Sequence, residues 1–259
     1  MLRVLVAGFT AATLVVAGTA ASRPKVKAQT GTRPAVNVTV AKDSDRIYAY
    51  GKASPGRRGR LVSVQLTYTP PGGRQQLVLK GDRLGRPNRK GQSRYEVTFP
   101  RPAEGDCSIL VRYEIKGTTA KDQQFFPCGI PAFGSGTATF SSSAGAIRSI
   151  GVQIADDDVE RSHGLRYRRQ MNKERGMAFL FPDDTMAAFD MRDTLIPLSI
   201  AFFDSAGRIL EILHMRPCYQ EPCPLYTPSA TYRGALEVNR YSFKRWGFGV
   251  GDFISVTES

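Results

Sequence analysis

Six polar residues in the second half of this sequence have types and positions that could do chemistry: Asp190, Arg192, Asp193, His214, Glu237 and Asn239. Each falls at or near the end of a predicted strand, where functional side chains concentrate. Three of them sit in the stretch FDMRDTLIPLSIAFFD, residues 189–204, directly before an apolar run and a proline. In a strand, Phe189 and Met191 point one way and Asp190 and Arg192 the other. On a structural reading the first pair fills a core while the second faces solvent or pairs across strands. On a functional reading all six residues converge on one cleft. Acid–base catalysis there would fall to Asp193, His214 and Glu237, and would need a carboxylate or imidazole within hydrogen-bond reach of a substrate.

His214, Cys218 and Cys223 spell H-x3-C-x4-C, a donor set that zinc and softer metals accept. The two cysteines share a short Pro-rich loop, however, and in an oxidising compartment they pair with each other. The expectation is a disulfide, with no metal and no cofactor. His163 precedes Gly164 at a predicted helix end, where a cation would meet the negative end of the dipole. Nucleophile elbows, P-loops, dinucleotide fingerprints and H-E-x-x-H are absent from the sequence.

A second kind of chemistry lies in the first half. Arg57, Arg58, Arg60, Arg83, Arg86, Arg89, Lys90 and Arg94 occupy Gly/Pro/Asn-rich loops. Arginines so placed suit phosphates and carboxylates. An anionic envelope polymer or lipid headgroups are the expected partners, with solvated surface charge as the alternative. Nucleic acid is not expected, because the aromatic residues that stack bases are missing from these loops.

The charge is unevenly spread. The formal net charge is +13, residues 29–128 hold 18 basic against 8 acidic residues, and residues 129–259 hold 14 against 15. One basic and one neutral half suggest two domains with different jobs.

The elements that must position these residues are mostly strands. Seven short β-like runs lie between residues 36 and 126, separated by turn clusters such as Pro70-Pro71-Gly72-Gly73. They predict an antiparallel, immunoglobulin-like β-sandwich over 34–128. Cys107 and Cys128 flank a predicted hairpin about residues 117 and 118, which sets them opposite each other and within disulfide range. Residues 129–136 read as a linker. The domain over 137–258 mixes strands with short helices. Asp157 with Glu160 predicts a capped helix ending at Gly164, and Asn239 a second one running to Trp246, ended by Gly247.

At the amino terminus, Arg3 followed by an apolar run to Ala21 and small residues predicts a secretory signal over residues 1–28. Later segments are too short or too polar to span a membrane. The chain is therefore expected to be exported to the periplasm, the cell envelope or the exterior.

The pieces ADDDVERSHGLRYR (155–168), GMAFLFP (176–182), FDMRDTLIPLSIAFFDSAGRI (189–209), ALEVN (235–239) and GFGVGD (247–252), in this order, resemble the bacterial and archaeal family called domain of unknown function 192. The resemblance covers about 137–258. It implies a compact, barrel-like β fold with a short helix or two, and no particular chemistry. Where that family carries an aromatic residue, a lysine and an asparagine, this sequence has Asp190, Arg192 and Asp193.

The sequence thus predicts a mainly β, exported envelope protein acting as a non-catalytic binding module. Its basic sandwich would contact an anionic surface and its second domain would hold a small ligand or a protein. The alternative is an envelope-acting hydrolase or transferase using Asp193, His214 and Glu237.

Overall fold

Strict alternation of apolar and polar residues builds the first half. In β3 (Leu61–Thr69) Val62, Val64 and Leu66 are buried while their neighbours are not, the period of two expected of a sheet with one dry face. A computed structural model describes residues 33–259; the predicted signal lies outside the described residues. β1 (Ala35–Lys42), β2 (Arg46–Ser54) and β5 (Ser93–Pro100) form a three-stranded sheet in that order. β4 (Gln76–Arg83), β3, β6 (Asp106–Ile115) and β7 (Thr118–Pro127) form a four-stranded one. Their inner faces share one core that includes Ile47, Val64, Phe99, Ile109 and Tyr113. All seven expected strands are present.

The β6–β7 hairpin turns on Lys116 and Gly117, both with positive φ, the backbone of a type I′ turn. This corrects the expected turn by one residue. Cys107 faces Phe126, with Cys128 just beyond. The disulfide still closes, with Cα atoms 5.1 Å apart.

The second half is one seven-stranded sheet. Its members are β8 (Gly134–Ser141), β9 (Ile147–Ala155), β10 (Arg175–Thr185), β12 (Leu198–Phe203), β13 (Ile209–Met215), β15 (Tyr232–Asn239) and β16 (Phe253–Glu258). The spatial order is β13-β12-β15-β10-β9-β8-β16. β9 and β10 run parallel, joined by a crossover that contains helix α1 (Asp158–His163), as parallel neighbours require. The outermost strands meet at a single bridge, Arg208 with Phe253. The sheet therefore curls towards a barrel without closing into one. β11 (Phe189–Asp190) and β14 (Leu225–Tyr226) add a small ribbon, and α2 (Ser242–Trp246) covers one face.

All six residues of β12 are buried, because this strand has apolar packing on both faces. One face holds Ala178, Ala201, Leu236, Val238 and Phe243. The other holds Met177, Phe179, Leu198, Ile200 and Met191. The cap of α1 forms as expected, with Asp157 Oδ1 accepting the Glu160 N–H at 2.8 Å. α2 does not start as expected. Its first turn follows Tyr241, which is in the left-handed region at φ 66° without a side-chain cap. Asn239 instead donates to the carbonyls of Met171 and Asn172.

Arg33–Ser259 packs as one compact unit. Tyr167, from the turn after α1, lies in the core of the sandwich. Lys42 of β1 is buried against it, with Nζ 4.5 Å from the Tyr167 ring centroid. That ammonium donates to the carbonyls of Pro127 and Gly129 at 2.7 and 2.8 Å, so it also ties down the start of the predicted linker.

Candidate functional site

Sheet register decides which candidate residues can meet. Residues directly opposed across a ladder share a face. Glu237 is opposite Ile200 and Met177, so it belongs to the Met177/Ile200 face. His214 is opposite Ser199, which is opposite Val238, so it belongs to the other face. His214 Nδ1 lies 2.8 Å from the Ser199 hydroxyl, which also accepts the N–H of Tyr241 at 2.9 Å. Ser199 is fully buried and serves as a strut between β12 and α2. Burial, and then Arg240, lower the His214 pKa.

Asp193 goes to a third place. Its carboxylate accepts from the Tyr167 hydroxyl at 3.0 Å and the Gln124 amide at 3.2 Å, at the contact between the halves. The expected convergence of Asp193, His214 and Glu237 therefore fails: a period of two sends His214 and Glu237 to opposite faces, and Asp193 is committed to the joint. The DMRD stretch also departs from simple alternation. β11 ends after Asp190, and Asp193 takes a left-handed φ of 56°. Arg192 then turns to the disulfide loop, where it meets Glu221 at 2.7 Å. That loop is closed by Cys218–Cys223, so these sulfurs are not free to bind a metal. Arg192, Asp193 and the loop line an open cleft of about 1080 Å³ facing Tyr50, Arg94 and Glu96 of the sandwich.

Two of the six do come together. Glu237 and Asp190 line a pocket of about 320 Å³. Phe179, Phe181 and Phe189 form its apolar wall, with Phe179 and Phe189 edge to face at 5.0 Å. Arg166 stands 3.8 Å from Asp190. Arg161 lies over the Phe181 ring at 5.1 Å and bonds the carbonyls of Asp156 and Leu180 and the carboxylate of Asp158. Gly164, with φ +49°, lets the chain leave α1 at this point; a Cβ there would press on the Phe179 ring at 3.3 Å.

Glu237 is the unusual member. It is 4% exposed, and among the described residues no group hydrogen-bonds its carboxyl. Burial pushes its pKa up to about 8, with Arg168 opposing and Asp190 adding to the rise. A carboxyl group held neutral in a pocket is the kind of perturbed group that marks a site. Its position near the end of a predicted strand was the sequence signal for it. Phe179, Arg161 and Arg166 were missed, because only the fold brings α1 and β10 to β15. His163 also lines the pocket, but not as the cation expected at the helix end. Burial, with Lys42, Arg168 and Arg166 nearby, lowers its pKa to about 4.

The two arginine-rich loops of the sandwich are joined to each other. Gly56 N–H donates to the Gly91 carbonyl at 2.6 Å, Gly59 to Leu84 at 2.8 Å, and Leu84 to Arg60 at 2.9 Å. Loops 55–60 and 83–94 are thereby stitched side by side. All eight cations are exposed and neither loop contains an acid.

Two crystal structures resemble parts of the chain. One, described as a candidate transcription regulator from Sinorhizobium meliloti 1021, is 28% identical and covers 49% of this chain and 98% of its own, with a TM-score of 0.46. A protein of unknown function from Novosphingobium aromaticivorans DSM 12444 is 28% identical and covers 46% and 83%, with a TM-score of 0.43. No curated protein matches. Residues 139–256 match the model of the DUF192 family, described as an uncharacterized ACR, and this part of the chain is similar to that family.

Proposed function

We propose that this protein is an exported, non-catalytic binding module. The basic end of its sandwich docks on an anionic surface of the cell envelope, and its DUF192-like domain holds a small ligand in the Glu237 pocket. The observation that carries this reading is the joining, by backbone hydrogen bonds, of two arginine-rich loops that contain no acid. Like charges brought together repel, and an anionic partner relieves that repulsion. The two disulfides are consistent with an oxidising compartment. Among the described residues no helix is long and apolar enough to cross a membrane. The separation of Asp193, His214 and Glu237 speaks against the acid–base alternative.

The test of docking is a salt series with anionic and neutral liposomes and with isolated envelope. Binding to the anionic surface falls steeply between low and physiological ionic strength, as screening shortens the reach of exposed charges to about 8 Å. Reversing Arg57, Arg58 and Arg60 to Glu abolishes it. Affinity indifferent to salt or to these substitutions rules out the docking surface. The pocket is tested separately, with a set of small anionic, cationic and neutral fragments and a plugged variant, Ala188→Trp, at an exposed position on the pocket's edge. Fragment binding that the plug abolishes supports the pocket; no binding by any class removes it.

A further inference from the structure

Glu237 is a buried acid with an open face and no partner, and its surroundings define what would satisfy it. From the geometry we infer that the pocket takes a small organic ammonium ion, its charge seated on the Glu237 carboxylate and its apolar part against the rings of Phe179 and Phe189. This rests on the ligand-pocket reading above and narrows it to one chemical class.

None of the nearby cations hydrogen-bonds Glu237, although the Arg168 charge reaches it at a distance. Arg161 is held by the backbone of Asp156 and Leu180 and by Asp158. Arg168 is bonded to Gln153. Arg166 faces Asp190. The groups packed on the other sides of Glu237, Met177 of β10 and Ile200 of β12, are apolar, and His163 is neutral at pH 7. No other lining group needs a counter-charge. An anionic ligand would meet a second carboxylate, Asp190, within the same small cavity. An ammonium ion instead replaces the proton that Glu237 otherwise retains, so the buried carboxylate is paired rather than stranded. Aromatic rings add to this, because their negative faces attract a desolvated cation. At about 320 Å³ the cavity is at the small end of ligand pockets, which limits the guest to a single-ring or short-chain amine.

The exchange is a simple balance: the amine enters as RNH3+, the Glu237 O–H gives its proton to solvent, and the pocket's net charge is unchanged. This fixes the pH dependence. Below its pKa of about 8 Glu237 is protonated, and each unit of pH lost lowers amine affinity by up to about tenfold.

The experiment is calorimetric titration of the purified protein with benzylammonium chloride, sodium benzoate and benzyl alcohol at pH 6 and 7, each in two buffers of different ionisation enthalpy. The inference expects benzylammonium to bind best, to release about one proton per guest at pH 6, and to lose at least tenfold in affinity in Glu237→Gln. Ala188→Trp should also block it, and because that substitution is at an exposed position it keeps the test valid if Glu237→Gln folds poorly. Preference for benzoate or benzyl alcohol, blocked by Ala188→Trp, overturns the ammonium assignment while leaving a ligand pocket. Benzylammonium binding without proton release also overturns it. Failure of every guest and of the wider fragment set overturns both readings.

Discussion

Tyr167 and Asp193 hold each other twice. The N–H of Tyr167 donates to the carbonyl of Asp193 at 2.8 Å, and its hydroxyl donates to the Asp193 carboxylate at 3.0 Å. Both residues are left-handed, at φ 64° and 56°. That conformation is tolerable for an aspartate and unusual for a tyrosine. It is maintained because the ring then reaches into the sandwich core beside Phe126, at 5.9 Å between centroids, while the Tyr167 carbonyl accepts the Lys42 N–H at 2.8 Å.

Removing that ring should loosen the joint. Tyr167→Ala is expected to cost about 3–5 kcal/mol, as truncation of a buried aromatic does. Tyr167→Phe loses only the bond to Asp193, at about 1–2 kcal/mol. Urea unfolding of the three proteins measures both; equal loss in the two variants would show that the ring contributes nothing.

Glu237 should make the protein less stable as pH rises. Its folded pKa, about 8, lies above the ordinary value of 4.5. The unfolded chain therefore ionises first. The contribution is complete below pH 4.5, declines from there to about 8, and is flat beyond. Glu237→Gln removes this slope and is expected to exceed the wild type by roughly 2–3 kcal/mol at pH 7. Parallel pH–stability curves for the two proteins would refute the buried-acid assignment.

Lys42 has the opposite sign. Burial, and then Arg101, lower its pKa to about 7, partly offset by Asp193. The unfolded chain holds this proton up to about pH 10.5, so the contribution grows as pH rises from 7 to 10.5. Lys42→Met should flatten that rise, which thermal melts between pH 7 and 10 would record. A wild-type curve with no alkaline rise attributable to Lys42 would contradict this.

The two disulfides should differ in worth. Cys107–Cys128 closes a separation of 21 residues and Cys218–Cys223 one of 5. On chain-entropy grounds their loss costs about 3 and about 2 kcal/mol. Paired Cys→Ala variants compared by denaturant unfolding give both values, and a larger loss at the short loop would reverse the expected order.

The sandwich was legible because most of its strands repeat a two-residue pattern and every turn but Asp43-Ser44-Asp45 carries Gly or Pro. The Cys107 pairing was readable although its register was one residue off, since a disulfide tolerates that shift while a ladder does not. The Glu237 pocket was only half legible. Glu237 and Asp190 were named from their positions at strand ends. What grouped them apart from His214 is strand order and facing, and these depend on β12 lying between β13 and β15, which no local pattern encodes. The Tyr167–Lys42 joint gave no sign, because a single tyrosine in RYR and a single lysine in VAK look like surface residues until the two halves meet.

The single bridge between Arg208 and Phe253 has a further consequence for synthesis. β16 pairs along its length with β8, more than 110 positions earlier in the chain. Until Phe253–Glu258 has been made, β8 has one bare flank and the curl cannot draw together. The seven-stranded sheet of a nascent polypeptide therefore stays incomplete until this last strand has been made.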